Sequence, residues 1–391
     1  MKRTTGLFVC NCYYPLSAGV GNATANLCRA LKEYGGIDPV VITPKRSQSP
    51  DREVHQGVTV IRVPGGVWAG NPVLSFLYYP WFAIHLLREV VRYKPLFVLF
   101  QTAWEGGPLI PLVRMVSKTL VVVHTHADVH YASRFESWAR LAYGRADIVM
   151  GTTTQYLRDV ESRYMRADAV LLPNAYYAPR LPESREELRS RYGYSPGFVH
   201  VTAVGRMVYE LDLETKGFSH LIEAAAKVPG VWLHMFGTGP ARQRYERMAE
   251  NLGVALRCTF YGHQPGDVLL RHLKAGDVLV ISSLNEGLSM ALIEALCLGV
   301  PIIATRTAGA LDYIRNGYNG LLIPPGDTAS LVEALEYATR EPDRLARMGR
   351  EGRLTFERSF APPVIASEFV QVISRVLESR RMRTRTPVET T

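Results

Sequence analysis

Hydrophobic residues along this chain alternate between two spacings. Short apolar runs near residues 7–11, 40–42, Val58–Val63, Phe97–Phe100, 120–123, 147–150 and 169–172 read as buried strands, separated by segments with apolar positions three or four apart. The first run gives way to Ser17-Ala18-Gly19-Val20-Gly21, a glycine loop entering a helix with Ala23, Leu27, Ala30 and Leu31 on one face. Residues 173–196, rich in proline, tyrosine and charge, interrupt the pattern. It then resumes with Val199–Val204, a run ending at Phe236-Gly237-Thr238-Gly239-Pro240, Val278–Ile281, Val300-Pro301-Ile302-Ile303-Ala304 and Asn319-Gly320-Leu321-Leu322-Ile323. A last helix repeats apolar residues at Ile365, Phe369, Ile373, Val376 and Leu377. Strand and helix in alternation predict parallel sheets with right-handed crossovers, an α/β fold of two units.

The pattern also marks where chemistry belongs. After Val278–Ile281, Asn285-Glu286-Gly287 is turn chemistry, and Ser289 to Leu298 is apolar at helical spacing. A helix N-terminus therefore sits at the carboxyl edge of a sheet, offering the amides of Leu288, Ser289 and Met290 to an anion. Glu286 stands in the loop, and Glu294 about two turns into the helix. A nucleotide-sugar has matching parts, with a diphosphate for the amides and sugar and ribose diols that donate to carboxylates. The alternative is a buried strand–helix pair whose glutamates cap the helix or face water.

Further motifs follow in order. Gly205-Arg206 ends one strand, Lys216-Gly217-Phe218 opens a helix carrying Leu221, Ile222 and Ala225, and Gly237 closes the next strand. From Tyr14-Pro15 to about residue 326, this ordered set resembles the retaining glycosyltransferases of family 4 (glycosyl transferases group 1), whose fold is GT-B. The resemblance implies two Rossmann-like domains with parallel sheets facing a cleft, and a C-terminal helix crossing back to the N-terminal domain. The expected organisation is an acceptor domain over 1–175 completed by 360–379, a linker over 176–197, a nucleotide-sugar donor domain over 198–358 and a basic tail over 380–391. It further implies that Arg206 and Lys216 hold the diphosphate, that Glu286 reads donor-sugar hydroxyls and that Glu294 holds the ribose. Gly205 and Gly217 let backbone approach closely, and Gly19 and Gly21 match a glycine loop near donor phosphate and acceptor. Asn174 in Leu172-Pro173-Asn174 matches the linker motif, with Ala175 where glycine is usual, and Thr307-Ala308-Gly309-Ala310 matches the loop after the signature helix. Donor-binding residues are thus expected at Gly19, Gly21, Gly205, Gly237, Gly287, Leu288, Ser289, Met290 and Glu294. Retention without an evident protein nucleophile implies a front-face reaction in which the leaving phosphate takes the acceptor proton.

One cluster admits a different chemistry. His124-x-His126-x-Asp128-x-His130 follows the run at 120–123, and alternate residues of an extended segment point the same way, as metal ligands could. A zinc-dependent hydrolase is therefore a rival reading, against which Asp128 and His130 are not adjacent and no downstream ligand pair is evident. The family resemblance instead implies a histidine at the reaction centre, best matched by His126 and next by His124, with Asp128 orienting the acceptor. No metal and no cofactor are expected, the nucleotide-sugar being a co-substrate. Arg206 and Lys216 are separated by an insertion carrying Glu210-x-Asp212-x-Glu214, read as a polar loop, with a cation-holding face as the alternative. A sugar-nucleotide epimerase, a non-catalytic binding protein and a dehydrogenase also remain open, although Gly19-Val20-Gly21 lacks the third glycine of a nicotinamide fingerprint.

Composition narrows the classes. The chain has 391 residues, 47% of them hydrophobic, enough for two or three cores. Five scattered cysteines fit a reducing cytoplasm better than a disulfide framework. No secretory signal is evident before the first strand. Residues 63–87 carry no charge, but prolines and glycines interrupt them, and the continuous part, 73–87, is shorter than the ~20 residues of a spanning helix. It reads as a packed helix, the alternative being that its aromatics (Phe76, Tyr78, Tyr79, Trp81, Phe82) rest in a membrane interface. Lys and Arg number 45 against 36 Asp and Glu, a net +9. Nucleic acid is not expected as a partner, since no module or aromatic platform accompanies the charge. A glycan or lipid-linked acceptor and an anionic membrane surface fit better, making the chain peripheral on the inner face of the membrane.

Overall fold

The structure, a computed structural model, describes residues 4–15, 19–45, 48–64, 72–126, 136–166, 168–210 and 213–385, without side chains at 72–77, 210, 213 and 383–385. It divides into two units, Met1–Tyr176 with Ala361–Thr391, and Tyr177–Phe360.

The first unit is built on strands β1 (Thr4–Val9), β2 (Ile37–Pro44), β3 (Arg52–His55), β4 (Val58–Val63), β5 (Phe97–Phe100), β6 (Leu120–Thr125), β7 (Ile148–Gly151) and β8 (Val170–Leu171), in the sheet order β3-β4-β2-β1-β5-β6-β7-β8. All pair in parallel except β3 with β4. That edge hairpin was not expected from the apolar runs, because Arg-Glu-Val-His has none. Gln56 and Gly57, both at positive φ, make the tight turn that joins it to β4. Successive strand residues face opposite layers. Leu7 and Val9 pack with Phe82, Leu86 and Val90 of helix Pro72–Tyr93, so the apolar run at 73–87 belongs to a core-facing helix. Phe8 and Phe97 pack on the other side with Leu27 and Leu31 of helix Gly19–Tyr34 and with Ile365, Phe369 and Ile373 of helix Pro362–Arg385. The C-terminal helix thus completes the first unit. Its Arg380 pairs with Asp147, which also takes Arg114 and the Val121 amide.

The second unit holds β9 (Val199–Val204), β10 (Tyr209–Glu210), β11 (Leu213–Glu214), β12 (Val231–Phe236), β13 (Cys258–Gly262), β14 (Val278–Ile281), β15 (Ile302–Thr305) and β16 (Leu321–Ile323). The main sheet is wholly parallel, in the order β13-β12-β9-β14-β15-β16. Val201, Ala203, Leu233, Met235, Val278 and Val280 form the core on one face. The opposite face carries His200 and His234, buried beneath Tyr194, Tyr261 and His272. Residues 176–197, expected as a linker, include helix Arg185–Arg191, started by a Ser184–Glu187 capping box. Arg185 and Arg189 of this helix bind Asp277, which anchors the segment to the second unit.

The insertion before Lys216 is a hairpin of β10 and β11. Glu214 turns inward rather than sharing an acidic face: it accepts from the Ser219 amide (2.9 Å), the Ser219 hydroxyl and the Tyr245 hydroxyl (2.8 Å). Three donors satisfy the carboxylate, so it anchors the start of helix Phe218–Lys227. The side chains of Glu210 and Asp212 lie outside the described set.

Candidate active site

In the second unit the strand order reverses beside β9, which has β12 on one side and β14 on the other. Open parallel sheets bind ligands at such a switch point, outside the carboxyl ends of the strands. Gly205 and Arg206 follow β9, Gly237 follows β12, and Ser282 to Glu286 follow β14, so the sequence motifs converge on one edge. The Lys216 ammonium donates to Glu286 Oε1 at 2.5 Å, and the Ser283 hydroxyl donates to Glu286 Oε2 at 2.7 Å. Both side chains are mostly shielded, with 22% of Lys216 and 15% of Glu286 exposed. The loop bearing Lys216 is tied to the loop after β14 through Ser282 Oγ to Lys216 O (2.9 Å) and Leu284 N to Thr215 O (2.9 Å). Lys216 lies across Gly205, where a Cβ would come within 3.0 Å of its side chain. A Cβ on Gly237, at φ +133, would overlap the Gly205 carbonyl. The edge is a tight cradle of backbone with one cation and one carboxylate over it.

Helix Met290–Leu298 begins beside this pair, one residue later than expected, with Ser289 as an N-cap in extended conformation whose hydroxyl makes no cap bond. Among the described residues, the amides of Leu288, Ser289 and Met290 meet no acceptor, leaving the helix's positive end open. Gly287 O accepts from Gly309 N at 3.2 Å, bringing the loop at 307–310 against the signature loop. Glu294 is half-buried on a helix otherwise packed through Leu292, Ile293, Ala295 and Leu296. Arg206 is exposed just past β9.

The first unit has its own reversal at β1 and β5. Gly21 is buried in the first turn of helix Gly19–Tyr34, where a Cβ would come within 2.5 Å of Cys12 O, while Gly19 faces open space. The glycine at 21 is thus required by the close approach of the chain after β1. Next along, β6 runs two residues further than expected, so His124 lies in the strand and His126 just past it. His124 is buried with Nε2 2.9 Å from Leu172 O, and burial lowers its pKa to about 4 against the opposing effect of that hydrogen bond. His126 stands 4.3 Å from it, ring centre to ring centre, with Nε2 2.6 Å from Gln101 Oε1. Burial, then the neighbouring His124, holds the His126 pKa well below the usual histidine value. Asn174 is buried, and its Oδ1 meets no partner among the described residues. Asp128 and His130 lie outside the described residues. Among the described residues no three His, Cys, Asp or Glu groups converge as a metal site.

Reasoning from the apolar pattern missed Gln101, Thr102 and Ser283. All three stand just past a strand's carboxyl end, where open parallel sheets bind ligands, and that rule would have found them had it been applied at β5 and to every polar residue after β14.

Residues 185–355 match the model for "Glycosyl transferases group 1", and residues 18–175 match that for "Glycosyl transferase 4-like domain". The chain is 30% identical over 277 residues to the GDP-mannose-dependent alpha-(1-6)-phosphatidylinositol monomannoside mannosyltransferase of Mycolicibacterium smegmatis, covering 65% of this chain and 71% of that one. It is 25% identical to the lipopolysaccharide core biosynthesis glycosyltransferase LpsD of Rhizobium meliloti, over 95% of this chain and 99% of the other. The matched regions span about half of two other relatives, 49% of LpsE from R. meliloti and 52% of the EpsD glycosyltransferase of Bacillus subtilis. Sucrose-phosphate synthase from Thermosynechococcus elongatus superposes over 96% of this chain and 100% of its own, at 21% identity and a TM-score of 0.81. The two parallel-sheet domains are those of the GT-B fold. The chain belongs to the group 1 glycosyltransferases.

Proposed function

We propose that this protein transfers a sugar from a nucleotide-sugar to a hydroxyl or phosphate acceptor, as a retaining hexosyltransferase of family 4 that needs no metal. The observation carrying the reading is the Lys216–Glu286 pair at the second unit's switch point, beside a helix N-terminus with open amides. The ammonium and amides suit a diphosphate, and Glu286 suits sugar hydroxyls. Leaving-group charge is then stabilised by Lys216, Arg206 and the helix end. His126 contributes a neutral ring on the first unit. Relatives named for lipopolysaccharide core and phosphatidylinositol mannoside synthesis support a glycan or lipid-linked acceptor, hence a role in glycoconjugate synthesis.

An anionic membrane surface is the proposed location of that acceptor, on the cytoplasmic side. Trp81 (47% exposed), Ile84 (60%) and Val91 (57%) share one outer face of helix Pro72–Tyr93 with exposed Arg88 and Arg92. Apolar residues rimmed by arginine suit the headgroup region. Sedimentation with anionic liposomes at low salt tests this, and a chain left in the supernatant contradicts it.

The enzymatic test is incubation with radiolabelled UDP-, GDP- and ADP-sugars plus envelope glycolipid extracts. Label moving to the extract, with the anomeric configuration of the donor kept, supports the reading. Donor isomerised without acceptor identifies an epimerase instead.

A further inference from the structure

The carboxyl edge of the first unit's sheet holds more hydrogen-bonding capacity than the described chain satisfies. Gln101, 1% exposed, is the first residue past β5, and its amide donates to Val9 O at 3.2 Å. Its side-chain Oε1 faces His126 Nε2 at 2.6 Å. Gln101 Nε2, Thr102 Oγ1, His124 Nδ1 and Asn174 Oδ1 are all buried with no hydrogen-bond partner among the described residues. A buried polar atom left in this state works against folding, so four near one sheet edge call for a ligand or a function.

A neutral imidazole that donates from one nitrogen has its lone pair on the other. We infer that Gln101 is a positioning residue: by accepting from His126 Nε2–H, it fixes the tautomer that leaves the His126 Nδ1 lone pair to accept a hydroxyl of the bound sugar. The opposite tautomer would present a donor to the hydroxyl and bring a proton toward a centre gaining positive charge. The inference rests on the glycosyl-transfer reading for its substrate, while the tautomer itself is a property of the free protein.

The test labels the histidines of the full chain with nitrogen-15, reads the imidazole nitrogen shifts and assigns His126 by its loss in His126→Gln. We expect the Nε2–H pattern in the wild type and in Gln101→Glu, whose carboxylate still accepts, and a mixture of tautomers in Gln101→Met. In the same samples, Gln101→Met should lower kcat about tenfold or more with the donor KM moved less than about threefold. If Gln101→Met does not fold, Gln101→Asn, too short to reach the ring, replaces it. A wild-type His126 protonated on Nδ1, or a tautomer indifferent to Gln101, overturns the inference. A wild type that transfers no sugar overturns the functional reading instead, and the nitrogen shifts still decide the role of Gln101.

Discussion

Each unit buries a set of histidines, and the two sets are built differently. In the second unit His200 Nδ1 lies 2.9 Å from His234 Nε2, His234 Nδ1 lies 3.0 Å from the Tyr261 hydroxyl, and the Tyr194 hydroxyl lies 3.0 Å from His272 Nδ1. His200 Nε2 reaches Ser195 O at 2.8 Å. Rings stack over the whole group, with Tyr194 on His200 at 4.5 Å and Phe236 on Tyr261 at 4.6 Å. Both nitrogens of His200 and of His234 are matched, as in a packed core. In the first unit, His124 Nδ1 and the Gln101 amide nitrogen beside His126 are buried and unmatched among the described residues. A satisfied cluster stabilises, whereas an unsatisfied one leaves buried polar atoms uncompensated.

Substitution should separate the two sets. His126→Ala should lower sugar transfer about a hundredfold, while its melting curve stays near that of the wild type. His234→Ala should cost about 2–3 kcal/mol of stability, read by urea unfolding, while the folded fraction keeps its turnover. An exchange of these phenotypes would end the distinction.

The second unit's own edge sharpens it. Glu286→Ala should lower kcat by about tenfold or more, and Glu294→Ala should chiefly weaken donor binding, by about 1.5–3 kcal/mol for a lost charge-assisted bond. Donor-consumption kinetics with both variants check this, and unchanged rates in both remove the glutamates from the site.

Acid should act on both sets: in the first unit burial lowers His124 to about 4 and holds His126 well below the usual histidine value. Burial lowers His234 to about 3 and His272 to about 4, and His200 also downward, with Arg185 and Arg189 adding to the shift at His200 and Asp277 opposing it. A histidine whose pKa is lower folded than unfolded takes up protons on unfolding. Its contribution is complete above about pH 6.5 and is lost as pH falls towards the folded values, by up to about 1.4 kcal/mol per pH unit for each ring. Unfolding free energy measured from pH 7 to pH 4 should fall along that slope, less steeply in His272→Gln. The smallest effect concerns packing: Gly21→Ala should cost about 1–2 kcal/mol of stability through contact with Cys12 O, visible in thermal unfolding.

The alternation of apolar runs made the two parallel-sheet units legible in the sequence, and β4, β5, β9 and β14 fall on the runs that mark them. The arginine-containing edge strand β3 was not legible, because its pairing comes from the Gln56-Gly57 turn rather than from an apolar run. Residues 176–197 read as a linker because prolines and charges dominate them, yet the Ser184 capping box and the Asp277 partner order a helix there. At the site, the motif residues Lys216 and Glu286 could be chosen from order along the chain, but their direct pairing could not, since 70 positions separate them. Gln101 escaped for the same reason: its meaning lies in a contact with His126 across neighbouring strands. Glu214 looked like one of three exposed acids, and only its three donors show it to be internal.

The most direct measurement is calorimetric titration of the full chain and of Lys216→Met with UDP, GDP and ADP. At least one nucleoside diphosphate should bind, and Lys216→Met should weaken it by about tenfold or more, the loss of one charge-assisted hydrogen bond. Binding of none of the three, or binding indifferent to Lys216, would contradict this.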